Sequence, residues 1–462
     1  MSRTVPAEIV APRMLVPSLV FVALVVAAVG SLGAPLITSV ATTVHVSLAS
    51  AQWTLTITLL AGAVATPVLG RLGAGPHRRA TILATLAVVV VGSVLTVLPL
   101  PFWSLLIGRA AQGVGLGLTA LMMGVARDHL PADRASSTIA LVSVASTIGI
   151  GVGYPLAGLL TDLGGLRAAY GLGVAVTVFA LAAAWRSIPA APPGRSARVD
   201  LPGAALLALA LLAILYLVSE TTLWTKHLAV AVALAVVAAV LLAVWVLIER
   251  RTAHALVDLR LLRNPAVAGA NLAMFIAGIG MYLLLTLITR YAQTPSSTGY
   301  GFGLSTFVAG LILVPFSVLG FVAGKLTPRL RDKLSAPAVL AVSALIVLVA
   351  FVLFATARST IIELLIAMAI LGFGVGSFSS AMPATILAVT PAEETSSAMS
   401  VNQVVRSVGF SLGSAVGGLT LAAGTIAEFP SNTSYTAAAW IGAGVVAAAA
   451  MGCAALERSP HV

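Results

Sequence analysis

Long apolar runs divide this chain from end to end, and they constrain its fold more than any other feature. The fourteen runs fall near residues 14–35, 52–71, 79–98, 102–127, 137–161, 167–187, 201–218, 226–248, 267–290, 303–325, 337–356, 360–389, 399–423 and 435–455. A helix needs about 20 mainly apolar residues to cross the hydrocarbon core of a bilayer. Only 8% of the residues are charged, against about 25% in an ordinary soluble chain. The pattern predicts an all-α polytopic membrane protein with fourteen transmembrane helices.

The basic residues predict how the chain is oriented. No small-residue cleavage site closes the first apolar run, so we expect a retained span rather than a signal peptide. With the N-terminus inside, 19 of the 25 Lys and Arg residues fall in inner loops or tails. Cytoplasmic loops carry the positive excess, so we expect both termini in the cytoplasm and the chain in the plasma membrane. The net charge of +11 then reflects orientation, and we expect no nucleic-acid partner.

Two parts of the sequence repeat each other. Residues 131–137 read PADRASS and residues 391–397 read PAEETSS, while GRL at 70–72 recurs as GKL at 324–326. Glycines in two further regions recur at nearly the same offset. This order predicts two six-span halves in the same orientation, related by an axis along the membrane normal, with the seventh and eighth runs as an inserted hairpin.

The repeat and the composition together predict five divisions. They are an N-terminal half (1–187), a Pro- and Arg-rich cytoplasmic linker (188–200), the inserted hairpin (201–248), a cytoplasmic segment (249–265) and a C-terminal half (266–462). The segment 249–265 alternates charged and apolar positions at helical spacing. It either lies in the inner interface as an amphipathic helix or forms an ordinary loop with helical character.

Four short segments carry a family resemblance. They are GRLGAGPHRR (70–79), GRAAQGVGLG (108–117), GIGVGYPLAG (149–158) and ALVDLRLLRNP (255–265). In this order they resemble the inner-loop, span-4, span-5 and post-hairpin signatures of the major facilitator superfamily, specifically its fourteen-span drug:proton antiporters. The resemblance covers essentially the whole chain. It implies the major facilitator fold, multidrug or antibiotic efflux, and a gating role for the inner-loop residues and their repeat: Gly70, Arg71, Gly73, Arg78, Arg79, Gly324, Lys325 and Arg329.

The sequence departs from this family pattern at two places. The inner-loop signature normally has an acid where Ala74 stands, so a latch that depends on that carboxylate is missing or moved. Drug:proton antiporters also commonly carry an acid in span 1, and residues 29–40 (VGSLGAPLITSV) contain none. Proton coupling through a span-1 carboxylate is therefore not expected here.

Two arginines fall inside apolar runs and are candidates for the transport pathway. A buried arginine costs at least about 2.5–3.5 kcal/mol on insertion scales, so it marks a functional hypothesis. By resemblance, Arg109 would face the central cavity and couple proton movement to substrate binding, with Gln112 on the same helix face. The alternative is a structural arginine bonded to carbonyls of span 1 or span 5. Arg406 clusters with Asn402 and Gln403, either as a substrate site or as a clamp between the halves.

Acidic residues are scarce, and no acid falls at the centre of a predicted span. Asp128 and Asp162 come closest and are the candidate proton carriers, against the alternative of solvated helix ends. With two mid-span arginines and no central acid, we expect neutral, zwitterionic or anionic amphipathic substrates rather than lipophilic cations.

Glycines and a proline in the fifth run predict a mechanical role. Gly149 and Gly153 form a small-xxx-small face that allows close helix approach, and Pro155 removes one backbone hydrogen bond and can kink the span. By resemblance, this segment, with Gly158, shapes the seal between the halves. The alternative is tight packing without a gating role.

The favoured function is secondary active export of amphipathic small molecules by alternating access, coupled to proton antiport. The alternatives are metabolite uptake or facilitated exchange on the same fold and, from a different class, a membrane-embedded sensor or enzyme. We find no P-loop, no metal-ligand spacing among the histidines and no cysteine partner for Cys453, so we expect no cofactor. The expected partners are the substrate, the proton and the bilayer, and we expect a monomer. The Arg- and Ala-heavy usage points to a bacterial protein.

Overall fold

A computed structural model describes residues 13–46, 48–190, 200–252, 264–391, 394–426 and 429–457. Most of the predicted linker 188–200 and of the segment 249–265 lies outside the described residues. The first helices are α1 (Leu15–Ser31), α2 (Gly33–Val44), α3 (Leu48–Leu72), α4 (Arg78–Val97), α5 (Phe102–Val114), α6 (Leu118–His129), α7 (Ala132–Ser187), α8 (Leu201–Ser219), α9 (Thr221–Lys226) and α10 (Leu228–Glu249). They are followed by α11 (Pro265–Gln293), α12 (Thr306–Leu311), α13 (Val314–Arg331), α14 (Ala336–Thr356), α15 (Ile361–Leu387), α16 (Thr395–Ala423), a two-strand ribbon of β1 (Thr425–Ile426) and β2 (Phe429–Pro430), and α17 (Asn432–Glu457).

In the described residues, eleven helical segments are long and apolar enough to cross a membrane, with α5–α6 and α12–α13 each counted as one, or twelve if the bent pair α1–α2 is one span. The sequence predicted fourteen runs, and the difference has two sources. The fifth and sixth runs are the two helical arms of α7, which meet without a loop at Gly164 and Gly165, where the backbone leaves helical geometry, so α7 counts once among the eleven. The seventh run, in α8, contributes only a shorter apolar stretch at Pro202–Ile214.

Helix boundaries follow local chemistry. Ser305 and Ser335 begin α12 and α14, and each side-chain hydroxyl accepts a bond from the backbone N–H three residues on. Thr360 and Glu363 form a capping box at the start of α15, which satisfies backbone donors that a helix start leaves free. α2 ends at Val44 and is followed by His45, whose φ of 56° is left-handed. Polar side chains thus cap the starts of α12, α14 and α15.

The same helix pairings occur twice in the chain. In the first group (α1–α7), α1 packs on α7, α3 on α5, and α4 on both α5 and α7. In the second group (α11–α17), the corresponding pairs are α11 with α16, α13 with α15, and α14 with both α15 and α17. The helix contacts therefore repeat between the two groups in the same order as the sequence motifs do.

The two groups meet along two seams. On one seam, α3 packs against α16; on the other, α7 packs against α12, α13 and α15. α8 contacts both α3 and α16, and Leu207, Leu211 and Trp245 of α8 and α10 join a cluster with Leu60 and Ala63 of α3. The hairpin therefore covers the α3–α16 seam.

The bundle has two chemically different ends. We call the end that holds Arg71, Arg78, Arg127 and Arg331 the basic face, and the end that holds the α7 break at Gly164–Gly165 the opposite face.

Candidate functional site

A series of cavities runs between the two helix groups. A basic-face vestibule of about 480 Å³ is lined by the first turns of α7 and the last turns of α13 and α15. An opposite-face vestibule of about 370 Å³ is lined by residues of α2, α3, α7, α11, α12 and α16. Between them lies a central cavity of about 40 Å³, next to a smaller one of about 20 Å³. The central space is therefore much smaller than the vestibule on either side.

Arg406 of α16 lies at this constriction and lines both small central cavities. Its Nη1 donates to Ser146 Oγ at 3.2 Å and to Thr147 Oγ1 at 3.4 Å, so it bridges from the second helix group to α7 of the first. Its guanidinium carbon lies 5.5 Å from the Phe410 ring centroid. The side chain is 8% exposed, and its Nε is buried without a hydrogen-bond partner.

Tyr282 separates the central cavity from the opposite-face vestibule, because it lines both. Its ring stacks on Phe410 with centroids 4.7 Å apart. On the other side, Thr147 Oγ1 lies 3.2 Å from Ser379 Oγ of α15, one residue before Ser380, which lines the basic-face vestibule. Aromatic rings thus close the centre toward one face and paired hydroxyls close it toward the other.

Arg109 and Gln112 lie elsewhere, inside the first helix group. Arg109 is fully buried and donates to three backbone carbonyls, Thr54 O at 3.1 Å and Val29 O and Gly30 O at 3.0 Å. Its Nη1 also donates to Gln112 Oε1 at 2.6 Å, and Gln112 Nε2 donates to Ser93 Oγ of α4. Neither residue lines the four cavities described above. The carbonyls belong to α1 and α3, next to the bend between α1 and α2.

The three residues predicted to cluster on α16 separate in the structure. Gln403 lines the central cavity with Arg406. Asn402 points the other way and donates from Nδ2 to Asn271 Oδ1 of α11 at 3.2 Å. Gln403 and Arg406 therefore border the central cavity, whereas Asn402 joins two helices of the second group.

Neither candidate acid lies at the centre. Asp128, near the end of α6, forms a salt bridge with Arg78 on the basic face, where its side chain is 16% exposed. Asp162 is exposed, two residues before the α7 break on the opposite face.

The first inner-loop segment closes the α3–α16 seam on the basic face. A Cβ on Gly70 would lie 2.8 Å from Ser400 Cβ, so glycine permits this close approach. Arg71 Nη1 lies 3.2 Å from Glu394 Oε1 in a salt bridge between the helix groups. Arg127 adds a second connection, donating to Thr390 O and Thr395 Oγ1 at 2.8 Å.

The rest of the inner loop is tied within the first group. Arg78 is 3% exposed and donates from Nε to Gly73 O at 2.5 Å, besides pairing with Asp128. Arg79 Nη2 donates to Trp185 O at 2.9 Å.

The repeated inner-loop segment is built differently. A Cβ on Gly324 would lie 2.7 Å from Val144 Cγ2 of α7, so this glycine also sits at a seam. Lys325 and Arg329 are exposed, and Lys325 Nζ lies 4.5 Å from the centroid of the Phe321 ring on its own helix. Arg134 stands where the second copy of the repeat has Glu394. Cations therefore occupy both sides of this seam, and the basic-face vestibule lies beside it.

The span-5 residues divide between two contacts. A Cβ on Gly149 would lie 2.5 Å from Leu24 O, and one on Gly153 would lie 3.0 Å from Ala28 O, so both glycines allow α7 to pack on α1. A Cβ on Gly158 would lie 2.7 Å from Phe307 Cα of α12, and one on Gly310 would lie 2.8 Å from Pro155 Cα. The second half of the motif therefore lies at the opposite-face contact between the helix groups.

Sequence reasoning missed several residues of the site. Ser146, Thr147, Tyr282 and Phe410 surround Arg406 and carry no motif of their own. Glu394 could have been singled out from the sequence. When PADRASS (131–137) is aligned with PAEETSS (391–397), Arg134 stands opposite Glu394, so the two copies differ in charge at this position.

The profile of the Major Facilitator Superfamily matches residues 19–414 and 270–462. The chain therefore belongs to this superfamily, whose members are transporters rather than enzymes. Together with the apolar helices, this makes it an integral membrane protein.

Comparison with individual proteins gives weaker likenesses. An uncharacterized MFS-type transporter of Mycobacterium tuberculosis is 30% identical over 271 residues, 58% of this chain and 38% of that protein. The multidrug resistance protein Stp of the same organism is 26% identical over 322 residues, 68% of this chain and 58% of its own length. The chain thus spans less than two thirds of the length of either relative. The crystal structure of the human organic anion transporter MFSD10 (TETRAN) covers 97% of this chain with a TM-score of 0.65 at 15% identity, and shares its fold.

Proposed function

We propose that the chain is a secondary active exporter of amphipathic small molecules such as drugs and antibiotics. It works by alternating access in the plasma membrane of a bacterium, coupled to proton antiport. The observation that carries the proposal is the pair of vestibules, of about 480 and 370 Å³, on either side of a central cavity of about 40 Å³. Binding pockets for small molecules measure about 300–1,000 Å³, so each vestibule is large enough to admit one.

Contacts at both faces support a rocking motion. On the basic face, Gly70 and Arg71 hold α3 against α16. On the opposite face, Gly158 and Gly310 hold α7 against α12. Rocking of one half against the other around a central site would break one set of contacts while keeping the other. Because both halves lie in one chain, a monomer is sufficient for this cycle.

We also propose fourteen spans with both termini in the cytoplasm. A straight helix as long as α7 would measure about 84 Å at 1.5 Å per residue, far more than the hydrocarbon core of about 30 Å. We therefore assign two spans to α7, joined at Gly164–Gly165, and one to α8 beside α10. With the bent pair α1–α2 as a single span, the total is fourteen. The basic face then lies at the cytoplasm, where positive charge is concentrated.

For proton exchange, Asp128 is better placed than Asp162. Its carboxylate is mostly buried and pairs with Arg78 beside the inner loop, whereas Asp162 is exposed at the opposite face. In this proposal, protonation of Asp128 releases Arg78 and loosens the inner loop.

Metabolite uptake or facilitated exchange is the second candidate. The observation that favours it is the absence of an acid from residues 29–40 of span 1, since an exchanger needs no proton carrier.

Accumulation of a panel of antibiotics and dyes in cells with and without the protein tests the proposal. We expect lower accumulation in cells that contain the protein, and a protonophore should abolish the difference. Higher accumulation would contradict export and favour uptake. A difference that survives the protonophore would contradict coupling to the proton gradient and favour facilitated exchange.

A further inference from the structure

The charged residues that line the cavities all have the same sign. Arg127 and Arg331 line the basic-face vestibule, Arg406 the central cavity and Arg290 the opposite-face vestibule. No aspartate or glutamate of the described residues lines any of these three cavities. Of the described side chains that line these cavities, every charged one is therefore positive.

Arg406 has no acidic partner within 4 Å among the residues that the structure describes. Two neutral hydroxyls, of Ser146 and Thr147, accept from its Nη1 at the long distances of 3.2 and 3.4 Å. Its Nε has no hydrogen-bond partner, although the side chain is more than nine-tenths buried. Guanidinium groups keep their charge in proteins and match carboxylate geometry through two parallel N–H donors. A buried cation without a paired anion is unfavourable, so the Nε side of Arg406 is suited to bind an anion.

Arg109 is a useful comparison, because all of its guanidinium nitrogens donate hydrogen bonds within the protein. Its four hydrogen bonds, at 2.6 to 3.1 Å, go to three carbonyls and to Gln112, and use its Nε and both Nη atoms. It lines none of the four cavities described above. Arg406 differs in each respect: its bonds are fewer and longer, and it borders open space on two sides.

We propose that the central cavity is an anion site and that the transported molecules are amphipathic organic anions. A carboxylate or sulfonate binds the Nε side of Arg406, and the apolar body of the molecule packs against Phe410 and Ile150, which also line the cavity. The inference rests on the proposed function and names the substrate class of the same site. An anion there binds a donor, Nε, that the Nη1 bonds to Ser146 and Thr147 do not use.

Anion export also accounts for the missing acid in span 1. A bacterial cytoplasm is electrically negative, so the membrane potential itself favours the outward movement of an anion. Exchange for a proton then adds the free energy of the proton gradient to a membrane potential that already favours export of the anion. A cationic substrate would have to move outward against the potential.

Three xanthene dyes of similar shape test the charge preference. Fluorescein is anionic at neutral pH, rhodamine B is zwitterionic, and the methyl ester of rhodamine B is cationic. Efflux of each preloaded dye is measured from cells with and without the protein, whose amount in the membrane is followed by an epitope tag. We expect fluorescein to leave fastest relative to control cells and the cationic ester to show no added efflux.

Variants of Arg406 link the preference to the site. Arg406→Gln should lower fluorescein efflux about 10-fold or more, the scale of a lost hydrogen bond to a charged group, and reduce the preference for fluorescein over the ester. Arg406→Lys should retain part of the efflux, because it keeps the charge but not the two parallel donors. Arg167→Gln removes one exposed positive charge on α7 and should leave efflux unchanged.

The outcomes separate the inference from the function on which it rests. Efflux of the cationic ester equal to or faster than that of fluorescein would overturn the anion site while leaving export intact. So would unchanged fluorescein efflux in Arg406→Gln. Faster uptake of fluorescein that depends on Arg406 would overturn the export direction and keep the anion site. If none of the three dyes moves, the export function is overturned and the inference with it.

Discussion

At the residue scale, the two buried arginines have different surroundings, and different consequences follow from replacing them. Arg109 satisfies carbonyls of α1 and α3 next to the bend between α1 and α2. The sequence left open whether Arg109 is a cavity residue or a carbonyl clamp, and its contacts favour the clamp. The position of Arg109 in the middle of a span could not distinguish these two hypotheses. It gives the depth of the residue in the membrane but not the direction of its side chain.

Arg109→Gln should lower the free energy of unfolding by about 2–5 kcal/mol, because it leaves buried carbonyls without donors. Cys453 is the only cysteine in the sequence and is 1% exposed, so a thiol-reactive fluorophore reports unfolding of the detergent-solubilised protein on heating. The exposed Arg167→Gln serves as control and should change stability by less than about 0.5 kcal/mol. An Arg109→Gln protein of normal stability that no longer transports would instead place Arg109 in the pathway.

Gly149 should tolerate no side chain, because a Cβ there would lie 2.5 Å from Leu24 O and 3.0 Å from Ala27 Cβ of α1. We expect Gly149→Ala to lower the free energy of unfolding by about 1–3 kcal/mol through overpacking. At Gly171, on the second arm of the same helix, a Cβ would meet no atom within 4 Å. Gly171→Ala should therefore be neutral or raise stability by up to about 1 kcal/mol. Equal effects of both changes in the same heating assay would refute the close contact with α1.

At the element scale, the basic face is closed asymmetrically. The α3–α16 seam has the Arg71–Glu394 salt bridge and is covered by α8. The α7–α13 seam has Arg134 and Lys325 at the corresponding positions and borders the basic-face vestibule. We therefore expect a substrate on the basic face to enter beside α7 and α13 rather than beside α3 and α16.

Charge reversal tests the closed seam. Arg71→Glu or Glu394→Arg alone should loosen it, and the double exchange should restore it, with a coupling of about 0.5–1 kcal/mol for a partly buried pair. The readout is labelling of Ser400→Cys, a buried position beside Gly70, in a Cys453→Ala background with a membrane-impermeant maleimide. Labelling should be faster in each single variant and slow again in the double exchange. Fast labelling in the double exchange would show that the pair does not hold the seam.

Much of the element order was predictable, and its limits have physical reasons. Apolar runs located the helices because helix length in a membrane is set by the width of the hydrocarbon core. They separated the two arms of α7 correctly, but they could not show that α1 and α2 meet at a 45° bend. The site was less predictable. Ser146, Thr147 and Tyr282 come from α7 and α11, and only the packing of the two groups brings them to Arg406.

At the scale of the whole molecule, two vestibules meet at a constricted centre. The helix pairings repeat in both groups, and the groups contact each other at both faces. Arg406 bridges the groups between the vestibules. Alternating access requires the two vestibules to change reciprocally, which makes their coupling the central claim.

Cysteine accessibility measures this coupling directly. Ser137 lines the basic-face vestibule and Thr289 the opposite-face vestibule, and each is replaced by Cys, separately, in the Cys453→Ala background. Gly158→Trp is then added as a wedge at the opposite-face contact, where the backbone of Phe307 leaves no room for a side chain. We predict faster maleimide labelling at Thr289→Cys and slower labelling at Ser137→Cys. Labelling that rises at both positions, or changes at neither, would contradict alternating access.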